Sequence, residues 1–453
     1  MAAGLHYVII GGNAAGMSAA RRIRRNDAQA RITVLEKSDI VSYGACGIPY
    51  FVADVIKEQK ALIALPLQKF LDDGIDVRLE HEAVDIDVRT RTVFFRASGS
   101  AEIQKLSYDR LILSLGARPV VPDLPGKELN GVFTVRSLKD AVQLKNELQS
   151  GKHKKAVIIG AGYIGLEMAE ALRTYDVDVS IVELMPQVLP PLDADMAQLV
   201  EEELQQRGCT VKTGQEVVRI LGGSGVTGVE LKNGERMDAS VVLLAVGVRP
   251  NVELAAKAGI QLGASGAIEV DARMRTNIRH VYAAGDCAEV KNLITNKNDY
   301  IPLGNTANKQ GRIAGDNASG GHSYLNGVVG NTAVKIFGTE VARAGISEKY
   351  AQRLRLPVKS VRIKSRTEAH YMPGSKAIHI KLIFDVNNGR LLGAQMVGGE
   401  AVAKRMDILA TAMQQKMTVA DIAQLDLNYA PPFAPVWEPI LIAANQAVKL
   451  LRK

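Results

Sequence analysis

Two glycine-rich turns, one near the N-terminus and one about a third of the way along the chain, constrain its fold more than any other feature. The first reads Gly-Gly-Asn-Ala-Ala-Gly over residues 11–16, and the second reads Gly-Ala-Gly-Tyr-Ile-Gly over residues 160–165. Each turn follows an apolar run, opens a helical pattern and precedes a second apolar run that ends in an acid, Glu36 or Glu183. In such a strand–turn–helix unit, small residues let the backbone approach a pyrophosphate, and the acid accepts hydrogen bonds from a ribose. The sequence therefore predicts an α/β fold with two dinucleotide-binding units.

The composition fits an enzyme with more than one core. With 453 residues, 47% of them hydrophobic, the chain can bury two or three cores. No stretch reaches the roughly 20 apolar residues that span a bilayer, so we expect no membrane insertion. The formal charge of +8 is spread along the chain, which argues against nucleic-acid binding. The N-terminus runs directly into a strand, so we expect no cleavable signal.

The cysteines narrow the chemistry further. The chain has three, Cys46, Cys209 and Cys287, and their spacing shows no pairing. This pattern excludes a disulfide framework and a zinc site, so we expect no metal, and it suggests a cytoplasmic location. Cys209 and Cys287 lie in contexts typical of packing residues.

The order of the predicted strands divides the chain into three domains. Residues 1–118 and 246–325 form the first nucleotide-binding domain, into which residues 119–245 insert the second. In the returning part, an apolar strand delivers Asp286 at its C-terminal end, the edge where doubly wound sheets bind ligands. A polar segment from residue 304 then opens another helix. Residues 326–453 change to alternating β-type runs and helices, which predicts a third, α+β domain.

This arrangement of two glycine-rich turns, a Gly-Asp strand end and an α+β tail resembles the flavoprotein pyridine nucleotide–disulfide oxidoreductases. The resemblance covers essentially the whole chain and implies that the first domain binds FAD, the second binds NAD(P)H and the third forms a homodimer. Asn13 stands where the family has a glycine, a mild change because asparagine tolerates unusual backbone angles. The FAD-binding residues that the resemblance implies are Gly11, Gly12, Ala14, Ala15, Gly16, Glu36, Lys37, Val84, Ser114, Gly116, Asp286, Leu303, Thr306 and Ala307.

The second turn favours NADH, with NADPH possible. Glu183 would bind both ribose hydroxyls and repel a 2′-phosphate, and residues 184–187 offer no arginine to hold that phosphate. Tyr163 resembles the gate residue that covers the flavin, and Glu167 resembles the residue that reaches the nicotinamide amide. The implied NAD(P)H-binding residues are Gly160, Gly162, Tyr163, Ile164, Gly165, Glu167, Glu183 and Gly247.

The context of Cys46 resembles the single-cysteine branch of this family. Glutathione and lipoamide reductases use a Cys-x4-Cys pair, whereas Cys46 stands alone before a helix predicted over residues 49–55. A thiol at a helix N-terminus has a lowered pKa and is a better nucleophile. The branch contains NADH oxidases and peroxidases, which cycle a sulfenic acid, and coenzyme A-disulfide reductases, which cycle a cysteine–coenzyme A mixed disulfide.

Two features separate these activities and favour the coenzyme A-disulfide reductases. The oxidases and peroxidases carry a histidine where this chain has Ala14, which has no proton to give. The reductases carry two tyrosines in the C-terminal domain, and Tyr371 and Tyr429 occupy similar positions. By resemblance, these tyrosines reach Cys46 of the opposite subunit and protonate or orient the departing coenzyme A thiolate.

Coenzyme A also requires cationic groups for its phosphates. Arg22 and Arg25 are three residues apart on the helix after the first turn and so share one face; that face could equally be a solvated basic surface. Ala45 replaces an asparagine that often precedes the family's cysteine, which leaves the preferred substrate open. The residues that match coenzyme A-contact positions are Ser18, Arg22, Arg25, Ser42, Tyr43, Asn308 and Trp437.

Three other functions remain open on the sequence. One is NADH-dependent reduction of polysulfides or persulfides, including coenzyme A persulfides. The second is NADH oxidase or peroxidase activity, which Ala14 disfavours. The third is a redox sensor that binds FAD without turnover, although a complete second nucleotide-binding turn would then have no use.

Overall fold

The computed structural model describes residues 4–452, which divide into two compact units. Within that range, the first unit comprises residues 4–51, 56–119 and 248–328, and the second comprises residues 52–55, 120–247 and 329–452. The second unit holds the predicted NAD(P)H-binding and dimerisation segments together, so the boundary predicted between them stays a prediction. No helix among the described residues is long and apolar enough to cross a bilayer.

Strands are numbered along the chain. They are β1 (His6–Ile10), β2 (Arg31–Leu35), β3 (Asp76–Arg78), β4 (His81–Asp87), β5 (Thr92–Ala97), β6 (Gln104–Ser107), β7 (Arg110–Leu113), β8 (Ala117–Pro119), β9 (Val132–Phe133), β10 (Lys155–Ile159), β11 (Asp178–Glu183), β12 (Thr210–Thr213), β13 (Val217–Gly222), β14 (Val226–Leu231), β15 (Arg236–Asp238), β16 (Val241–Leu244), β17 (Val248–Pro250), β18 (Val281–Ala283), β19 (Val290–Lys291), β20 (Asn298–Asp299), β21 (Thr332–Ile336), β22 (Thr339–Gly345), β23 (Val358–Arg366), β24 (Ala377–Asp385) and β25 (Leu391–Gly398).

Helices are numbered in the same way. They are α1 (Ala14–Asn26), α2 (Ile48–Val52), α3 (Leu67–Asp72), α4 (Leu138–Gln149), α5 (Tyr163–Arg173), α6 (Ala194–Gln206), α7 (Glu253–Lys257), α8 (Gly304–Ala318), α9 (Glu348–Arg353), α10 (Val402–Gln414), α11 (Val419–Ile422) and α12 (Pro439–Leu451), with 3₁₀ turns at Ala45–Gly47 and Gln59–Leu62.

The first unit is built on a parallel sheet with the strand order β18-β7-β1-β2-β3. The central strand β1 is buried along its whole length, as expected for a strand covered on both faces. Helices α1 and α8 pack closely, and the glycines at positions 311 and 315 make this possible. A Cβ on Gly311 would collide with the α1 backbone at Ala15, and one on Gly315 would collide with it at Ala19. Strands β4, β5 and β6 form a separate antiparallel sheet.

The second unit contains a parallel sheet and a large antiparallel sheet. The parallel sheet has the order β12-β11-β10-β16-β9, and the antiparallel sheet has the order β21-β22-β25-β24-β23. Lys381 on β24 is buried and lies 2.9 Å from Asp195 on α6 and 2.8 Å from Glu348 on α9. This charge cluster joins the predicted NAD(P)H-binding and dimerisation segments within the unit. The predicted fold class, two nucleotide-binding sheets followed by an α+β segment, is confirmed.

Candidate active site

The first glycine-rich turn joins β1 to α1 in a tight loop. Gly11 has a φ of +100°, and a Cβ there would collide with the carbonyl oxygen of Ser114. A Cβ on Gly16 would collide with the carbonyl oxygen of Gly11, so only glycine lets α1 start this close to the turn. The Ser114 hydroxyl lies 2.8 Å from the carbonyl oxygens of both Ile10 and Gly11 and so ties β7 to the turn.

Glu36 follows β2 and holds the turn from the other side. Its Oε2 accepts a hydrogen bond from the backbone N–H of Gly12 at 2.7 Å, and its Oε1 accepts one from the N–H of Ser38 at 2.8 Å. A carboxylate oxygen has more than one lone pair, so both oxygens can also accept hydrogen bonds from a ribose. The turn therefore combines the tight backbone, the helix N-terminus and the carboxylate that a dinucleotide needs, and its residues fit FAD.

Most residues predicted to bind FAD follow the ends of parallel strands in the first unit. Ile10, Leu35, Leu113 and Ala283 end β1, β2, β7 and β18, and they pair in register across the sheet. The strand ends therefore bring to one edge the residues that come just after them, including Gly11, Glu36, Ser114 and Asp286.

The other predicted FAD residues lie outside the strand ends. Leu303 is the N-cap of α8, and Thr306 and Ala307 are buried in the first turn of that helix. Val84 is the extra residue at a bulge in β4, a feature that redirects a side chain. Lys37 is exposed. Contacts between these residues and FAD stay predictions.

Asn13 lies in the first turn with a φ of −106° and a ψ of −147°. These angles fall outside the helical and extended regions, in keeping with the tolerance expected of asparagine. Its side-chain oxygen also accepts a hydrogen bond from the backbone N–H of Tyr43 at 3.1 Å. Asn13 thus ties the N-terminus of α1 to the segment that leads to Cys46.

The second glycine-rich turn has the same arrangement of glycine and bound carboxylate as the first, with open space beside Gly162. Gly160 has a φ of +104°, which a residue with a side chain rarely adopts, and a Cβ on Gly162 would meet no atom within 4 Å. The buried Glu183 accepts hydrogen bonds from the N–H of Ala161 at 2.7 Å and of Met185 at 2.8 Å. The space above Gly162 and the fixed carboxylate fit a pyridine dinucleotide.

Tyr163 and Glu167, which are predicted to reach the flavin and the nicotinamide, both lie on α5. Tyr163 begins α5, and its hydroxyl is buried without a hydrogen bond to any residue in the described part of the chain. Glu167 lies one turn further along the same helix. After Glu183, Leu184 is 65% exposed, so an apolar side chain stands where an enzyme specific for a 2′-phosphate would need a cation.

Cys46 lies in a 3₁₀ turn, and its side chain is exposed. A helix was predicted over residues 49–55, but its predicted end is wrong because α2 ends at Val52. Asp54 has a φ of +60°, which a right-handed helix does not allow. Helix α2 has only five residues, so its dipole is too weak to activate the Cys46 thiol in the way predicted for the longer helix.

A different helix N-terminus lies beside the sulfur. A Cβ built on Gly304, the first residue of α8, would lie 4.0 Å from Cys46 Sγ. Helix α8 has 15 residues, and its N-terminal N–H groups carry a partial positive charge that favours a thiolate. This approach joins residues about 260 positions apart in sequence, so no local pattern could have revealed it.

Cys209 and Cys287 are buried, in agreement with the packing roles predicted for them. Burial raises the pKa of Cys209, and it raises the pKa of Cys287 to about 11. Both side chains therefore stay mostly protonated near neutral pH. Cys46 is the one exposed thiol among residues 4–452.

Two of the predicted coenzyme A contacts, Ser18 and Asn308, contact each other near the N-terminus of α8. The Ser18 hydroxyl on α1 donates a hydrogen bond to the Asn308 side-chain oxygen at 2.7 Å. Asn308 in turn donates to the carbonyl oxygen of Gly304 at 2.9 Å. Asn308 therefore lies one helical turn after Gly304, the residue that approaches the sulfur, and Ser18 reaches it from α1. Ser42 has a φ of +53° and precedes Tyr43 in the segment leading to Cys46.

The predicted cationic face of α1 is partly neutralised within the first unit. Arg22 donates from Nε and Nη2 to Oδ1 of Asp316 at 2.8 Å and 2.6 Å. Although burial opposes it, hydrogen bonds from Asn26, Ser323 and Arg22 hold the pKa of Asp316 well below its usual range. Arg25 is exposed and has no ion pair with any described residue. Arg25 is thus better suited than Arg22 to meet a phosphate.

Tyr371 and Tyr429 lie in the second unit, on two loops that touch. Tyr371 and Tyr429 are 60% and 47% exposed, and the neighbouring Tyr371 phenol raises the pKa of Tyr429. The N–H of Ala369 also donates to the carbonyl oxygen of Pro431 at 3.1 Å, which joins the loops directly. Trp437 is 66% exposed on the same segment as Tyr429. The structure therefore brings the two predicted tyrosines together on an exposed surface.

Comparisons with known families match nearly the whole chain. Residues 5–311 match the family described as pyridine nucleotide-disulphide oxidoreductase, and residues 332–439 match its dimerisation domain. The chain is 37% identical to an NADH oxidase of Methanocaldococcus jannaschii over 99% of both chains. It is 38% identical to a CoA-dependent NAD(P)H sulfur oxidoreductase of Pyrococcus furiosus over 97% of this chain and 98% of the other. It is 30% identical to a coenzyme A disulfide reductase of Staphylococcus haemolyticus over 94% and 96% of the two chains.

Solved structures agree with this assignment. Reduced CoADR-RHD of Bacillus anthracis has a TM-score of 0.96 and 34% identity, covering 99% of this chain and 81% of the other. An NAD-dependent persulfide reductase of A. fulgidus has a TM-score of 0.95 and 42% identity, covering 98% and 83%. An engineered water-forming oxidase bound to NADPH has a TM-score of 0.94 and 25% identity over 99% of both chains, and its substitutions remove an aspartate and add two arginines.

The fold, the two dinucleotide-binding turns and these matches lead to one assignment. The chain belongs to the pyridine nucleotide–disulphide oxidoreductases, a family of FAD-dependent enzymes that includes NAD(P)H-dependent disulfide and persulfide reductases and NADH oxidases.

Proposed function

We propose that this enzyme uses NAD(P)H to reduce coenzyme A disulfide or coenzyme A persulfide through the thiol of Cys46. The observation that carries the proposal is the position of Cys46, which is exposed beside the N-terminus of α8, the helix that also carries Asn308 of the Ser18–Asn308 pair. The relatives from Pyrococcus furiosus and Staphylococcus haemolyticus, whose names specify coenzyme A, support this choice of substrate.

Cys46 acts twice in this proposal, as nucleophile and as leaving group. Its thiolate attacks one sulfur of the disulfide, forms a mixed disulfide with one coenzyme A and releases the other as a thiolate. When bound, FAD supplies the two-electron chemistry that links NAD(P)H to this disulfide. Two electrons then break the mixed disulfide, restore the Cys46 thiolate and release the second coenzyme A. A thiol stabilised as thiolate favours both the attack and the departure.

The remaining residues bind coenzyme A or protonate the departing thiolate. Arg25 meets a phosphate of coenzyme A, and Ser18 and Asn308 offer hydroxyl and amide groups to the part of the ligand nearest the sulfur. Tyr371 and Tyr429 belong to the segment that matches the dimerisation domain, and their exposure suits a role at the Cys46 of a partner subunit. There, a phenol would protonate or orient the departing thiolate.

Mass spectrometry of the intact purified protein tests the proposal. We expect a mass increment of one coenzyme A that dithiothreitol removes, and peptide mapping should locate it on Cys46. A sulfenic acid on Cys46, with no coenzyme A detected at any stage of purification, would favour the oxidase reaction instead. Retention of the increment in a Cys46→Ser variant would also overturn the assignment.

The names of relatives support two further candidates. NADH-dependent persulfide reduction follows from the similarity to the A. fulgidus enzyme and uses the same thiol. NADH oxidase activity follows from the similarity to the Methanocaldococcus jannaschii protein. Ala14 argues against peroxide chemistry in this chain, because no acidic proton is available at the first residue of α1.

Replacing Ala14 tests that argument. We expect the wild-type enzyme to reduce hydrogen peroxide poorly and Ala14→His to raise peroxidase turnover, because an imidazole near the sulfur can donate a proton. Ala14→Gln is the matched control, since it adds a polar side chain without a titratable group. Steady-state NADH consumption with peroxide measures both. The argument fails if the wild type already turns over peroxide faster than any disulfide.

Cofactor preference gives a second prediction for this site. Glu183→Gln removes the charge but keeps one acceptor for the turn, and adding Leu184→Arg supplies a cation. We expect the double variant to shift the ratio of kcat/KM values toward NADPH by about tenfold or more, since removing a close charge repulsion is worth at least about 1.4 kcal/mol. The engineered NADPH-bound oxidase, with an aspartate lost and arginines gained, supports this direction. Unchanged FAD content is the control, and an unchanged cofactor ratio would contradict the role of Glu183.

A further inference from the structure

We propose that Arg405 is a positioning residue that holds the Tyr371 loop and the Tyr429 loop in one arrangement. The inference rests on the proposed function, because it assigns a purpose to the arrangement of those two tyrosines. It adds a residue that touches neither tyrosine and that no sequence motif singled out.

Arg405 lies on α10 with its side chain only 6% exposed. Its Nε donates to Glu438 Oε1 at 2.7 Å, and its Nη2 donates to Glu438 Oε2 at 3.1 Å. Glu438 is itself buried and is the N-cap of α12. This two-point ion pair fixes the end of the segment that carries Tyr429.

The same guanidinium reaches both tyrosine loops through their backbones. Nη2 donates to the carbonyl oxygen of Thr367, four residues before Tyr371, at 2.9 Å. Nη2 also lies 3.1 Å from the carbonyl oxygen of Phe433, four residues after Tyr429. One side chain therefore connects the start of one loop with the end of the other. The loops meet again at the Ala369–Pro431 backbone bond.

These contacts explain how two exposed phenols can keep a fixed geometry. The loops are irregular, and the exposed aromatic side chains of Tyr371 and Tyr429 gain little from packing within the chain. The loops must therefore be held in place from their buried side. There, the planar guanidinium of Arg405 presents N–H donors in fixed directions. A lysine carries the same charge but has no planar guanidinium, so it cannot bind both oxygens of Glu438 and also reach both carbonyl groups.

The experiment compares Arg405→Lys, Arg405→Met/Glu438→Gln and Lys381→Met. The second variant removes both charges so that no unpaired buried ion remains, which protects the fold. Lys381→Met is the matched control, because it breaks another buried charge cluster of the second unit that has no contact with the tyrosine loops among the described residues. FAD content and thermal unfolding confirm that each protein folds.

Fluorine NMR of 3-fluorotyrosine gives a readout that does not depend on turnover. In the wild type, the neighbouring Tyr371 phenol raises the pKa of Tyr429. We expect that pKa to fall toward its ordinary value in both Arg405 variants and in Tyr371→Phe, and to stay unchanged in Lys381→Met. Tyr429→Phe identifies the resonance. An unchanged Tyr429 titration in folded Arg405 variants would overturn the proposal.

Kinetics then separate this inference from the proposed function. We expect the Arg405 variants to slow the disulfide-cleaving step roughly 10- to 100-fold, less than the ~10²–10⁴ of a lost general acid. Flavin reduction by NADH and the KM for NADH should not change. If the Tyr429 titration moves but no disulfide reaction depends on either tyrosine, the positioning role stands, and the part of the proposed function that assigns the tyrosines to disulfide cleavage fails. If the tyrosine variants slow the reaction and the Arg405 variants do not, only the positioning role fails.

Discussion

The Cys46→Ser variant is expected to lose disulfide and persulfide reduction completely while it still binds FAD and accepts electrons from NADH. Cys46 is the one exposed thiol in the described part of the chain, so no other sulfur can form the mixed disulfide. Serine keeps the size of the side chain and removes the nucleophile, while the glycine-rich turns stay intact. Stopped-flow reduction by NADH and steady-state assays with coenzyme A disulfide measure the two halves of the reaction.

Cys209→Ser serves as the control for this prediction. Cys209 is buried and its thiol pKa is raised by burial, so this variant should keep near-normal activity once it is folded. Thiol alkylation near neutral pH should label Cys46 and leave Cys287, with its pKa of about 11, unmodified. Substantial disulfide reduction in Cys46→Ser would remove this residue from the mechanism.

The two tyrosines carry the next largest expected effect. Tyr371→Phe and Tyr429→Phe should each slow the disulfide-cleaving step by roughly 10- to 1,000-fold, within reach of the ~10²–10⁴ known for a lost general acid. The phenol helps only when its proton reaches the departing thiolate, so flavin reduction by NADH should not change. Rapid-mixing experiments that monitor release of coenzyme A separate the two steps.

Subunit mixing tests whether the active site is shared between chains. Cys46→Ser protein is mixed with the Tyr371→Phe/Tyr429→Phe double variant under conditions that allow subunits to exchange. In a shared arrangement, one site of each heterodimer carries both defects and the other carries neither, so activity should return. No recovery, despite exchange proven by mass-tagged subunits, would mean that the tyrosines serve the cysteine of their own chain or none.

The sequence predicted the parts of the fold that depend on local patterns. Apolar runs beside glycine-rich turns defined β1, α1, β10 and α5, because strand and helix periodicity and tight turns are local properties. The acid that ends each second run was equally visible, and both Glu36 and Glu183 bind the turn that precedes them. The resemblance to a family added the position of Cys46 and of the two tyrosines.

Contacts between distant residues were not predictable in the same way. Arg22 and Asp316 are 294 positions apart, so the sequence showed a basic helix face without the carboxylate that partly neutralises it. The end of α2 depended on the backbone angle of Asp54, which no side-chain pattern specifies. Arg405 binds carbonyl groups of Thr367 and Phe433, and a backbone acceptor leaves no signal in the sequence.

The bonds that Glu36 and Glu183 make to their own turns have a consequence for the speed of ligand exchange. Each carboxylate already holds the backbone N–H groups of its loop, so the conformational entropy of ordering that loop is lost during folding and not at each encounter. An incoming dinucleotide then binds to a loop that is already ordered, and the loop keeps the same conformation when the dinucleotide dissociates. Nucleotide exchange at the second turn should therefore be free of a slow refolding phase, with association rates that depend on diffusion and charge.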